Sequence, residues 1–190
     1  MATPARLWFC AFSAIALTGS VVVAQDAPMP TFTGKGSITQ AIDGEQGAIF
    51  DIGSGITMTF PKGLPVGRSR LVTLKKASKK PSAAQIQKGF TPIGTAIDFS
   101  TPIAAKDAPI VVAMAHKGDP KKKASQRLVL AMEVGTLCNA QNKSTKQKNG
   151  LCSGWELIDA EYDAGGQRLV AKLQSTGGMR MVFGVVEGDH

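Results

Sequence analysis

From Ser37 onward, apolar and polar side chains alternate in short runs separated by glycine, proline and asparagine. This is the pattern of antiparallel strands with one buried face. GITMTF at 55–60 is the clearest case: Ile56, Met58 and Phe60 share one face, Thr57 and Thr59 the other, and Pro61 with Gly63 ends the run. Comparable runs are SITQAI at 37–42, GAIFDI at 47–52, SRLVTLK at 69–75, PIGTAIDF at 92–99 and PIVVAMA at 109–115. RLVLAMEV at 127–134, GWELIDA at 154–160, QRLVAKLQ at 167–174 and GMRMVFGVV at 178–186 complete the set. In the last, Met179, Met181, Phe183 and Val185 alternate with Arg180, Val182, Gly184 and Val186. Both faces are largely apolar, which predicts a central strand. Only PSAAQIQKG at 81–89 has helical character, with Pro81 and Ser82 as a start and Gly89 as a stop. The expectation is an all-β chain: an antiparallel two-sheet β-sandwich with about ten strands and at most one short helix.

The chain opens MATPARLWFCAFSAIALTGSVVVAQDAP, with Arg6, an apolar run from Leu7 to Leu17, a polar break at 18–20 and small side chains before Gln25. That order is the one signal peptidase reads, and it places the cut after Ala24. Thr18, Gly19 and Ser20 interrupt the run before it reaches the length of a membrane span. Cys10 lies inside the apolar run behind Phe9, the wrong place for a lipid anchor. The expected organisation is a signal peptide at 1–24, a flexible leader at 25–36 containing Pro28, Pro30, Gly34 and Gly36, and one β-sandwich domain at 37–188. The expected location is secreted or periplasmic, with no transmembrane segment after cleavage. Of the cysteines, Cys138 and Cys152 remain after residue 24, and an even pair in an oxidising compartment is expected to bond. The intervening NAQNKSTKQKNGL is polar and lysine-rich, a loop closed at its base.

Three pieces carry a family resemblance across residues 47–186. They are a glycine-led strand ending in Pro-x-Gly at 61–63, a Phe-Ser-x-Pro corner at 99–102, and a tryptophan strand at Trp155. Together they resemble the ZU-five type domain shared by ankyrins, netrin receptors and tight-junction scaffolds, which has secreted bacterial relatives. The resemblance implies a β-sandwich used for protein contacts or spacing, without catalysis, and with an aromatic filling its core. Some relatives cut themselves at a His-Phe-Ser triplet. Here Asp98 precedes Phe99 and Ser100, so that activity does not carry over.

Candidate chemistry is sparse. Nucleophilic catalysis needs a serine or cysteine beside an oriented base, and the two histidines are His116, at the end of an apolar strand, and the terminal His190. The same scarcity removes a zinc reading of the cysteines. Asp159, Glu161 and Asp163 alternate along an extended segment that runs into Ala164, Gly165 and Gly166, which reads as a hairpin with solvated acids and not as a calcium loop. No cofactor or catalytic residue is expected, and the chain reads as a non-enzyme.

Charge changes this picture more than any motif. After cleavage 21 basic side chains stand against 14 acidic ones, a net +7, because residues 1–24 contain Arg6 and no acid. No acid lies between Ile52 and Ile97, where Lys75, Lys76, Lys79 and Lys80 fall, and Lys121, Lys122 and Lys123 with Lys143, Lys146 and Lys148 make two further basic loops. These residues are candidates for binding an anionic polymer such as envelope polysaccharide, lipid head groups or nucleic acid. The alternative is that they keep an apolar-rich domain soluble. Base stacking has little support, since one Trp and one Tyr follow residue 24. The leading expectation is an exported contact or spacer module with an unknown protein partner; the second is the polyanion-binding protein.

Overall fold

The computed structural model describes residues 28–66, 70–136, 138, 152–176 and 180–187. The expected signal peptide and its cleavage site lie outside the described residues, as do Met179, Lys143, Lys146 and Lys148. The described chain is all-β with one short helix. In order it runs β1 (Thr31–Thr33), β2 (Ser37–Ile42), β3 (Ala48–Asp51), β4 (Ile56–Phe60), β5 (Arg70–Lys76), α1 (Ala83–Ile86) and β6 (Thr91–Phe99). It continues with β7 (Ile110–Ala115), β8 (Gln126–Thr136), β9 (Cys152–Asp163), β10 (Arg168–Leu173) and β11 (Arg180–Glu187).

Every alternating run read from the sequence is a strand. They form one 11-stranded sheet in the order β1-β3-β4-β7-β10-β9-β8-β11-β6-β5-β2, which curls into a nearly closed barrel. Where two packed layers are expected, the two halves of this sheet face each other across one core and are joined through β9. That strand is long enough to serve both halves: Cys152–Asp159 pair with β8, and Ala160–Asp163 pair with β10.

The edges meet at the segment expected to be a loose leader, which is a correction to that expectation. Thr31–Thr33 pairs parallel with β3, and the Gly36 N–H donates to Ile52 O (2.8 Å) while Gly36 O accepts from the Lys76 N–H (2.8 Å). The glycine link therefore bonds both edges and satisfies backbone groups that would otherwise be open to another chain. Gly36 has φ of +87°, a conformation a side chain would oppose.

The inward faces make a single core in which Phe50, Phe60, Phe183, Ile42, Ile110 and Leu130 are fully buried. An aromatic chain crosses it: Phe32 to Phe50 (5.6 Å between centroids), Phe50 to Phe60 (5.3 Å) and Phe60 to Phe99 (6.0 Å), tying β1, β3 and β4 to β6. Strand β11 lies between β8 and β6 and is buried on both faces, as its two-sided apolar pattern predicts. Met181, Phe183 and Val185 enter the central core, whereas Val182 and Val186 join an outer cluster with Phe90, Ala96, Val129 and Ala131.

That outer cluster is covered by the strap at 77–90. Its helix is one turn, started by Ser82, whose N–H donates to Gln85 Oε1 (2.9 Å) in a capping box. Trp155 belongs to this outer cluster, half-buried against it, and not to the core as the resemblance implied. Its position two residues from Leu157 on β9 puts both on the outward side.

Cys138 and Cys152 are disulfide-bonded with Cα atoms 5.0 Å apart.

Candidate functional site

Strand alternation builds a polar row on the outside of the barrel. Val72 and Leu74 of β5, Ile97 and Phe99 of β6, Met181 of β11 and Met132 of β8 all point into the core. Their neighbours Thr73, Lys75, Asp98, Arg180 and Glu133 must therefore point out. Register then decides which meet. Asp98 stands opposite Lys75 on one side and opposite Arg180 on the other, so charges alternate across Lys75, Asp98, Arg180 and Glu133 on four adjacent strands. Opposite charges at facing positions stabilise a sheet.

The centre of this row is held firmly. Arg180 Nε donates to Asp98 Oδ1 at 2.8 Å, with side-chain exposures of only 31% and 19%. The Asp98 hydrogen bond holds the Arg180 guanidinium above its ordinary pKa, opposed by partial burial and reinforced by the charge of Asp98 and of Glu133. Glu133 accepts in turn from Ser153 Oγ at 2.7 Å. Ser100, at the corner after β6, accepts from the Thr73 N–H through Oγ (3.0 Å) and donates its own N–H to Thr73 O (3.1 Å). Its hydroxyl is thus committed to the β5 backbone, and Asp98, the residue before Phe99 and Ser100, faces Arg180. Together these groups and Phe99 line an open cleft of about 500 Å³.

The three alternating acids of β9 are matched one by one. Asp159 accepts from Arg127 (2.7 Å), Glu161 lies 3.7 Å from Lys172, and Asp163 accepts from Arg168 (2.8 Å). The Gly166 N–H and then Arg168 hold the Asp163 carboxyl below its ordinary pKa. These acids are spread along cross-strand ion pairs. Among the described residues no group of three or more His, Cys, Asp and Glu side chains could hold a metal ion.

The candidate lysines separate. Lys75 lines the cleft, and Lys76 Nζ bonds Ser54 Oγ. Lys79 and Lys80 are exposed at the start of the strap. Lys121, Lys122 and Lys123 lie on the loop from β7 to β8, where Lys121 meets Asp119 (3.6 Å) and Lys123 meets Glu187 (3.5 Å). Lys75 stands beside Asp98, and Lys122 shares a cavity with Thr91. The two clusters are therefore about seven strand residues apart along β6, on the order of 20 Å at roughly 3.3 Å per residue.

Sequence reading missed the charge row. Each of its members sits at an ordinary outward position, and Asp98 and Arg180 are 82 residues apart, so only the folded register brings them together. No family model matches the chain, and none of the curated proteins compared with it does.

Proposed function

We propose that this protein is an exported, non-enzymatic contact module that presents the cleft over Lys75, Asp98, Arg180 and Glu133 to a partner protein of complementary alternating charge. The observation that carries the reading is the charge row itself. It is held by register and by a half-buried ion pair on a barrel with a filled core, and fixed charges favour specificity and orientation in protein contacts. The disulfide supports an oxidising compartment outside the cytoplasm.

The polyanion reading draws less support, because the described lysine clusters lie at separate ends of the barrel and two of the three lysines at 121–123 face acids. A photo-crosslinking residue in place of Lys75, compared with one in place of the exposed Lys106, tests the contact reading in exporting cells. A discrete adduct at position 75, absent at 106 and abolished by Arg180→Glu, is the expected result. Equal adducts at both positions, or none at position 75, would refute it.

A further inference from the structure

At the other end of β6 and β11 the barrel has a mouth with a different chemistry. Strand β7 is followed by His116, whose N–H donates to Gln167 O (2.9 Å), and the chain then crosses the open end to enter β8 at Gln126. The crossing is pinned along its length. The Gly118 N–H donates to the Tyr162 hydroxyl (3.0 Å), the Lys122 N–H donates to Gln126 Oε1 (2.8 Å), and Gln126 Nε2 donates to Glu187 Oε1 (3.1 Å). Below it lies a cavity of about 390 Å³, lined by Ile93, Val185, Pro120, His116, Lys122 and Gln126, among others.

The floor is apolar because Ile93 and Val185 are inward residues that pack with the central core. Beside them β6 bulges away from β11, and Gly94, with φ of +64°, leaves room for the thioether of Met114, which lies 2.5 Å from where a Cβ at Gly94 would stand. This methionine reaches from β7 across to β6 and packs against Gly94, the residue next to Ile93 of the cavity floor, where its flexible thioether can adjust.

The rim carries the opposite character. The two acids of this region are occupied, Asp119 by Lys121 and Glu187 by Lys123, and between those two lysines Lys122 has no acidic partner among the described residues. His116 Nδ1 bonds Gly118 O at 2.9 Å, which requires the proton on Nδ1 and fixes the ring at the cavity edge.

We infer that this mouth binds a small amphipathic carboxylate, its apolar body on Ile93, Val185 and Pro120 and its carboxylate beside Lys122. The volume is at the lower end of the roughly 300–1,000 Å³ of small-molecule sites, and barrel mouths are a recurring place for them. The inference is independent of the cleft, since the two sites share no residue.

Calorimetric titration of the full disulfide-bonded protein with hexanoate, octanoate and decanoate, each below its micellar concentration, is the test. Affinity should rise by about threefold to fourfold per methylene buried. Lys122→Met, which keeps the stem and removes the charge, should weaken decanoate at least tenfold and leave decanol unchanged, while Lys75→Met should alter neither. In methionine-methyl NMR spectra decanoate should move Met114 before Met58. The inference fails if the folded protein binds none of the acids at millimolar concentration, if Lys122→Met binds decanoate as the parent does, or if decanol binds as tightly as decanoate. It also fails if Met58 responds and Met114 does not. None of these outcomes bears on crosslinking at the cleft.

Discussion

Gly184 offers the sharpest test of how the outer strap is held. It sits midway along β11, opposite Val129 on one side and Pro92 on the other. A Cβ there would lie 2.3 Å from Phe90 Cζ, 2.4 Å from Phe90 Cε2 and 2.8 Å from Thr91 O. The tip of the Phe90 ring therefore rests on a bare Cα, and Phe90 is only 2% exposed within its cluster. Gly184→Ala leaves two outcomes for the ring. If it stays, overpacking costs about 1–3 kcal/mol; if it is expelled, about 1.5–3 kcal/mol of burial is lost. Replacing a strand glycine returns about 0.5–1 kcal/mol through the unfolded chain. The net is a destabilisation of about 1–2 kcal/mol, or about 3–6 °C in Tm at this chain length. Urea and thermal unfolding, with the disulfide intact, measure it. Phe90→Ala alone should cost about 3–5 kcal/mol, and the double variant should fall short of the sum by at least about 0.5 kcal/mol because the two sites touch. A Gly184→Ala protein as stable as the parent, or strict additivity in the double variant, would refute the packing argument.

Denatured, unreduced protein should show almost no free thiol, and the Cys138→Ser, Cys152→Ser double variant should lose about 3 kcal/mol, as the chain-entropy model gives for a loop of about 15 residues. Asp98→Asn should cost about 1 kcal/mol in chemical unfolding, a charge-assisted bond discounted for the partial exposure of Arg180. Gln126 first, then Lys123 and Ser125, hold the Glu187 carboxyl below its ordinary pKa, and Gly166 and Arg168 do so for Asp163. A depressed acid stabilises above the ordinary carboxylate range and loses that contribution as pH falls through and below it, so Tm should drop on the acid side. Glu187→Gln with Asp163→Asn should flatten that limb. Replacing Lys121, Lys122 and Lys123 with Gln should change stability by no more than about 0.5 kcal/mol; any heparin binding that survives this change and ignores salt would exclude counterion release as its source.

The sequence by itself determined the elements whose cause is local. Period-two alternation placed the strands, because a residue's side of the sheet depends only on its parity along the strand. The apolar residues on both faces at 180–186 put β11 in the middle, and Pro81 with Ser82 started the one helix among the described residues. The cysteine pair was legible because only two cysteines follow residue 24 and a polar, lysine-rich sequence separates them.

Tertiary structure decided the rest, and for one physical reason: parity says that Phe60 and Phe99 point inward, but not whether their strands belong to two sheets or to one that curls. Closure depended on Gly36 bonding both Ile52, just past β3, and Lys76 of β5, and on Thr31–Thr33 pairing parallel with β3, a run of three residues too short to carry an alternating signal. Trp155 lies outside because its parity on β9 matches Leu157, while the strap that covers it comes from residues 77–90. The row from Lys75 to Glu133, like the mouth between Ile93 and Val185, assembles residues far apart in the chain through strand register, and register is set by how the whole sheet packs its core.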